Sequence, residues 1–171
     1  MKKLGITGII IGILIIVGFI LAFNTNNEKI KIGIMLPLTG EATSWSEPAK
    51  EALLMAQYEY NKNHNNKIEL IFEDDKCSPE DSVKGANKLV NADNVIGIIG
   101  FACSGAAKAA IPVFDKAQKP LIIVAATNPD LTKMSQYVFR VHPSDSEQGK
   151  FAANYVKNTL NKDRYWQQVM R

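Results

Sequence analysis

Histidine and cysteine are scarce in this chain of 171 residues, with two of each. Cys77, Cys103, His64 and His142 show no metal-ligand spacing, so no metal or other cofactor is expected. No Walker loop occurs. Gly97 and Gly100 do not make a G-x-G-x-x-G at a helix start, which disfavours dinucleotide binding. No stripe of Lys and Arg with interleaved aromatics is present. The formal charge is +3, and setting aside Lys2 and Lys3, which precede the domain, leaves +1. Nucleic acid is therefore not an expected partner. Internal repeats are missing, as are low-complexity tracts beyond asparagine-rich linkers. With 46% hydrophobic and 22% charged residues, what remains is an ordinary globular composition at a length suited to one domain.

One long apolar run is present. It spans residues 4–23, from Leu4 to Phe23, carries no charge and follows Met1-Lys2-Lys3. At about 1.5 Å per helical residue its length matches a ~30 Å hydrocarbon core, whereas a secretory h-region is roughly 7–15 residues. Asn24-Thr25-Asn26-Asn27 offers no small-x-small cleavage site, and no cysteine closes the run, which excludes a lipoprotein anchor. The favoured reading is an uncleaved membrane anchor with the two lysines cytoplasmic and the rest of the chain outside. A cleaved signal peptide would export the domain equally. Residues 1–28 are thus anchor or signal plus linker, 29–160 a folded lobe, and 161–171 an irregular tail. In an extracytoplasmic setting the two cysteines suggest a disulfide. Closing the span from Cys77 to Cys103 would stabilise the fold by roughly 3.5 kcal/mol on the chain-entropy account.

Beyond the linker, apolar alternation and helical periodicity take turns. Strands are expected over 29–35, 67–73, 95–99, 120–124 and 137–141, and helices over 45–62, 78–91, 106–116 and 144–160. Ala49, Ala52, Leu53, Ala56 and Tyr60 recur at helical spacing. Ser78-Pro79-Glu80-Asp81 has a cap, a first-turn proline and acids facing the helix dipole. The runs at 95–99 and 120–124 are wholly apolar, as in strands buried on both faces. The acidic run Glu73-Asp74-Asp75 reads as a solvated loop. Alternating strands and helices predict an α/β fold, a doubly wound parallel sheet with right-handed crossovers. In such sheets ligands bind beyond the carboxyl ends of the strands, at the switch point. That selects the loops 36–45, 100–105 and 124–128.

Each loop offers a candidate. Ser104 lies between a buried strand and a helix, where its hydroxyl can cap the helix and free N–H groups suit a carboxylate or phosphate. It could equally be a plain cap. Thr127 could add a hydroxyl and an N–H, or satisfy its own turn. The Ala125 carbonyl could accept from an ammonium. Trp45 could cover an apolar ligand tail, or act as a hydrophobic staple. Converging at one edge, they point to a small-molecule site. Cys103-Ser104-Gly105 lacks the G-x-S-x-G spacing of a nucleophile elbow, and neither His64 nor His142 lies in these loops, so a thiol-dependent hydrolase is a remote alternative.

Five segments carry a resemblance: IKIGIMLPLTGEATSWSEPAKEAL (30–53), FEDDKCSPEDSVKGANKLV (72–90), VIGIIGFACSGAAKAA (95–110), PLIIVAATNPDLT (120–132) and VFRVHPSDSEQGKFAANYV (138–156). Together they resemble the branched-chain amino-acid-binding proteins of ABC transporters, of the type I periplasmic-binding fold, in their N-terminal lobe alone. The resemblance implies a non-enzymatic solute-binding component. It implies a Cys77–Cys103 disulfide. Ser104 and Thr127 would hold a ligand carboxylate. The Ala125 carbonyl and Thr127 hydroxyl would meet its ammonium, and Trp45 its side chain. The implied partners are an amino acid or related amide and, in a full-length relative, a transporter permease. The ectodomain of a membrane-anchored sensor is the alternative. The family continues into a second lobe that closes on ligand; here an apolar strand expected near Arg164 is replaced by a polar, aromatic tail, so the chain reads as truncated.

Overall fold

The computed structural model describes residues 29–161; the apolar run 4–23 and the tail beyond 161 lie outside them. Five strands and four helices follow one another: β1 (Ile30–Leu36), α1 (Thr43–Asn63), β2 (Ile68–Asp74), α2 (Pro79–Asn91), β3 (Gly97–Gly100), α3 (Ser104–Lys116), β4 (Leu121–Ile123), β5 (Val138–Arg140) and α4 (Asp145–Asn158). A single 3-10 turn, Leu131–Lys133, precedes β5. All strand pairings are parallel, in the order β2-β1-β3-β4-β5. The chain therefore winds outward from β1 to β2, returns across β1 to β3, and continues to β4 and β5. The winding reverses between β1 and β3.

That reversal puts the helices on opposite faces, because crossovers keep one hand. On one face, Met35, Ile98, Leu121, Ile123 and Val138 pack with Ala86 and Leu89 of α2 and Ala107, Ala110, Ile111 and Phe114 of α3. Gly100 permits the tightest approach within the sheet, since a Cβ there would collide with the Met35 carbonyl of β1. On the other face α1 rests on the β2 side, with Lys50 5.8 Å from the Phe72 ring centroid. Gln57 and Asn61 of α1 both donate to the Ile68 carbonyl.

This second face is only partly covered, and here the expectation of strands buried on both sides fails. Ile122 is 38% exposed and its register neighbour Phe139 56% exposed, while α4 has no buried residue. Of the periodic α1 residues, Ala49, Leu53 and Tyr60 are half-buried but Ala52 and Ala56 are exposed, since α1 meets the sheet chiefly along β2. The caps are as the residue types require. The Ser78 side chain accepts from Asp81 N–H with Pro79 following, and Ser144 and Glu147 form a reciprocal capping box at α4.

Candidate functional site

The carboxyl ends of β1, β3 and β4 are neighbours on either side of the winding reversal, so all three selected loops open at one rim. The loop after β1 is held by Asp74, the last residue of β2. Its Oδ1 accepts from Leu38 N–H (2.8 Å) and Lys76 N–H (3.0 Å), and its Oδ2 from the Thr39 hydroxyl. Burial works against the charged form, but these bonds together outweigh it and hold the carboxyl below its usual range. Ser46, buried in the first turn of α1, donates to the Pro37 carbonyl. Trp45 beside it is 77% exposed; it is presented to solvent and does not act as a staple.

Next to this loop, Cys77 and Cys103 are joined as a disulfide with Cα atoms 5.3 Å apart. The bond ties the β2–α2 connection to the start of α3 and leaves Cys103 without a thiol. Asp75 is fully buried, with Oδ1 accepting from Cys77 N–H (2.8 Å) and Oδ2 lacking a partner among the described residues. Burial pushes its carboxyl up to about 6, the Cys77 N–H opposing and the neighbouring Asp74 charge adding to the rise. The acidic run is thus not a solvated loop. Two of its members end or follow a strand and fix the backbone around the rim, including Lys76 and Cys77 at φ 47° and 55°.

The second and third loops are joined directly. Ser104 is the first residue of α3, and Cys103 occupies the cap position without a side-chain bond. The Ser104 hydroxyl makes no cap bond; it reaches across and accepts from Asn128 N–H at 3.3 Å. The β4 loop is fixed beneath by Ala125 N–H and Ala126 N–H, both donating to the Phe101 carbonyl. Its far end is fixed by Arg140 of β5, whose Nη1 donates to the carbonyls of Thr127 (3.4 Å) and Asn128 (2.8 Å). Asp145 N–H also donates to Thr127 (3.0 Å).

What is left unpaired defines the chemistry. Among the described residues, no partner is found for the N–H groups of Ser104, Gly105 and Thr127, the Thr127 hydroxyl or the Ala125 carbonyl. Ser104 and Thr127 are half-buried, Gly105 and Ala125 exposed. Three N–H donors at the amino terminus of a 13-residue helix and its neighbouring loop favour an anionic group; the Ala125 carbonyl, two residues before Thr127, favours a cation. Trp45 lies in the first turn of α1, after the loop that follows β1, and β1 is the neighbour of β3. Sequence reading missed Asp74 and Arg140, whose one signal is a charge at the last position of a strand. Among the described residues no group of His, Cys, Asp and Glu could hold a metal ion.

In open parallel α/β sheets small solutes bind at the switch point, the edge at which these loops lie. The chain belongs to the periplasmic binding protein family, which matches residues 29–166, and its fold is the type I periplasmic-binding fold. It is 33% identical over 133 residues to an amino acid binding protein of Pseudomonas aeruginosa, covering 75% of this chain and 36% of that protein. It is 30% identical over 141 residues to the leucine-specific-binding protein of Salmonella typhimurium, covering 80% and 38%. Among solved structures, the branched-chain amino acid transporter substrate binding protein LivJ of Streptococcus pneumoniae, in complex with isoleucine, superposes with a TM-score of 0.71 at 33% identity. That match covers 78% of this chain and 39% of that one. The chain spans less than two-fifths of the length of these relatives.

Proposed function

We propose that residues 29–160 are the first ligand-binding lobe of an extracytoplasmic, non-enzymatic solute-binding protein serving an ABC-type uptake system for branched-chain or related amino acids. The observation that carries this reading is the rim set of Ser104, Gly105 and Thr127 N–H groups with the Ala125 carbonyl close by in sequence. An α-amino acid offers the complement, a carboxylate beside an ammonium. The carboxylate takes the N–H groups and the Ser104 hydroxyl. The ammonium takes the Ala125 carbonyl and the Thr127 hydroxyl, and Trp45 lies against the side chain. The names of the relatives, amino acid binding and leucine-specific-binding, favour the same class. Export by the apolar run 4–23 and delivery of ligand to a permease belong to this proposal.

Residues 29–160 by themselves leave much of a bound zwitterion in water, where each hydrogen bond competes with solvent and contributes little net affinity. Enclosure by a second lobe is what would desolvate it. The expected result is therefore millimolar or weaker binding. Titrating L-leucine into the isotope-labelled chain should shift the amide resonances of Ser104, Gly105 and Thr127, and leucinamide, which lacks the carboxylate, should not. Micromolar affinity of residues 29–160 by calorimetry would refute the need for enclosure. No shift at those amides at saturating leucine would refute the site.

A further inference from the structure

We infer that Arg140 is the positioning residue of the rim: by holding the Thr127 and Asn128 carbonyls it sets the Ser104 hydroxyl as a hydrogen-bond donor toward the ligand. The ligand half of this inference rests on the proposed amino-acid reading of the site; the positioning half does not.

A serine hydroxyl by itself has no fixed polarity, since it can donate one bond and accept others. Here Asn128 N–H points at Ser104 Oγ at 3.3 Å. With the acceptor side of the oxygen engaged, its proton is free for an incoming group. No partner for that proton is found among the described residues. An anion is thereby favoured over a cation at this position.

The direction of Asn128 N–H depends on how the Thr127–Asn128 peptide is turned. The carbonyl of that peptide belongs to Thr127, and it accepts from Asp145 N–H at 3.0 Å and Arg140 Nη1 at 3.4 Å. The same Nη1 donates to the next carbonyl, Asn128, at 2.8 Å. Two successive carbonyls are therefore drawn to one guanidinium nitrogen on the far side of the loop. In a trans peptide the N–H lies opposite the C=O, so pulling the Thr127 carbonyl toward β5 turns Asn128 N–H toward α3. The unpaired Thr127 N–H is kept at the rim by the same restraint, with Ala126 N–H anchored to Phe101 on its other side. Arg140 is partly buried and has no salt bridge among the described residues. Its charge also reaches the Glu147 carboxylate without an ion pair, while its hydrogen bonds go to the two carbonyls, and charge-assisted bonds are the stronger kind.

The test uses the full 171-residue chain with Arg140→Gln and Arg140→Lys. In the absence of ligand, Arg140→Gln should speed hydrogen exchange of the Asn128 amide about tenfold or more, the loss expected for a bond to a charged group. Core amides such as Leu89 and Ile111 should be unchanged. Arg140→Lys, which can still reach one carbonyl, should recover part of that protection. With L-leucine as the probe, Arg140→Gln should weaken the response of the Ser104 and Thr127 amides about tenfold, and Lys should restore part of it. Unchanged Asn128 exchange in Arg140→Gln overturns the positioning role. Accelerated exchange with undiminished leucine response overturns the link to ligand. A wild-type chain with no leucine response overturns the amino-acid reading, and Asn128 exchange still decides the positioning role alone.

Discussion

A carboxyl group with one oxygen buried and unpartnered, as in Asp75, makes stability depend on pH in a direction opposite to most acids. Its folded-state value of about 6 lies above the ordinary 3.8, so the folded chain holds the proton more tightly than the unfolded one. Stability therefore falls as pH rises through that window. The full penalty, on the order of 3 kcal/mol, is present at pH above the folded value. Asp75→Asn keeps the acceptor for Cys77 N–H and removes the titration. Urea denaturation at about pH 4 and about pH 7 should show wild type losing stability relative to Asp75→Asn over that range. A parallel pair of profiles would contradict it. Asp74 behaves oppositely: its carboxyl is held below the usual range, so its contribution is lost only as pH drops through that lowered value. Neighbours in sequence with inverted behaviour were not legible as such. Charge pattern alone reads Glu73-Asp74-Asp75 as solvated, because burial of Asp75 follows from where β2 ends against the disulfide.

At the scale of elements, the strands and helices were legible to within a few residues wherever local chemistry decides them. The Ser78-Pro79 start of α2 is one case, and the Ile30-Ile32-Ile34 alternation of β1 another. Ser104 was legible as a loop residue at the rim, but its bond was not, because its hydroxyl accepts from a residue 24 positions away. The exposed outer face of β4 and β5 was not legible either. Ile122 read as buried within its strand, but which face a helix covers is set by the hand of successive crossovers, and no local pattern records that. The helix α4 illustrates the difference between local and tertiary support. It buries no residue, so its capping box is a large share of what orders it. Ser144→Ala should cost about 1 kcal/mol of helix stability. The loss should appear as faster amide exchange across α4 with α2 and α3 unaffected. Equal effects on all three helices would mean that α4 is coupled to the core.

Among the described residues, one face of the sheet is a closed core, and the other exposes the paired apolar side chains Ile122 and Phe139. Contiguous apolar patches on a soluble domain bind hydrophobic probes. The chain should enhance the fluorescence of an anilinonaphthalene dye under native conditions, and Ile122→Lys with Phe139→Lys should abolish most of the enhancement while leaving the cooperative unfolding transition in place. Dye binding unaltered by the double substitution would place the patch elsewhere.

The Cys77–Cys103 bond, described above as a tie between two loops, also limits how far the chain can be drawn out. Under tension applied at the two ends, the segment between the cysteines, 26 positions in sequence, cannot pay out. At roughly 3.5 Å per extended residue that withholds about 90 Å of reach. Strand β3 and helix α2 lie inside this covalent ring. A pull that strips away β1 or α4 would leave them looped together, able to find each other again without a search.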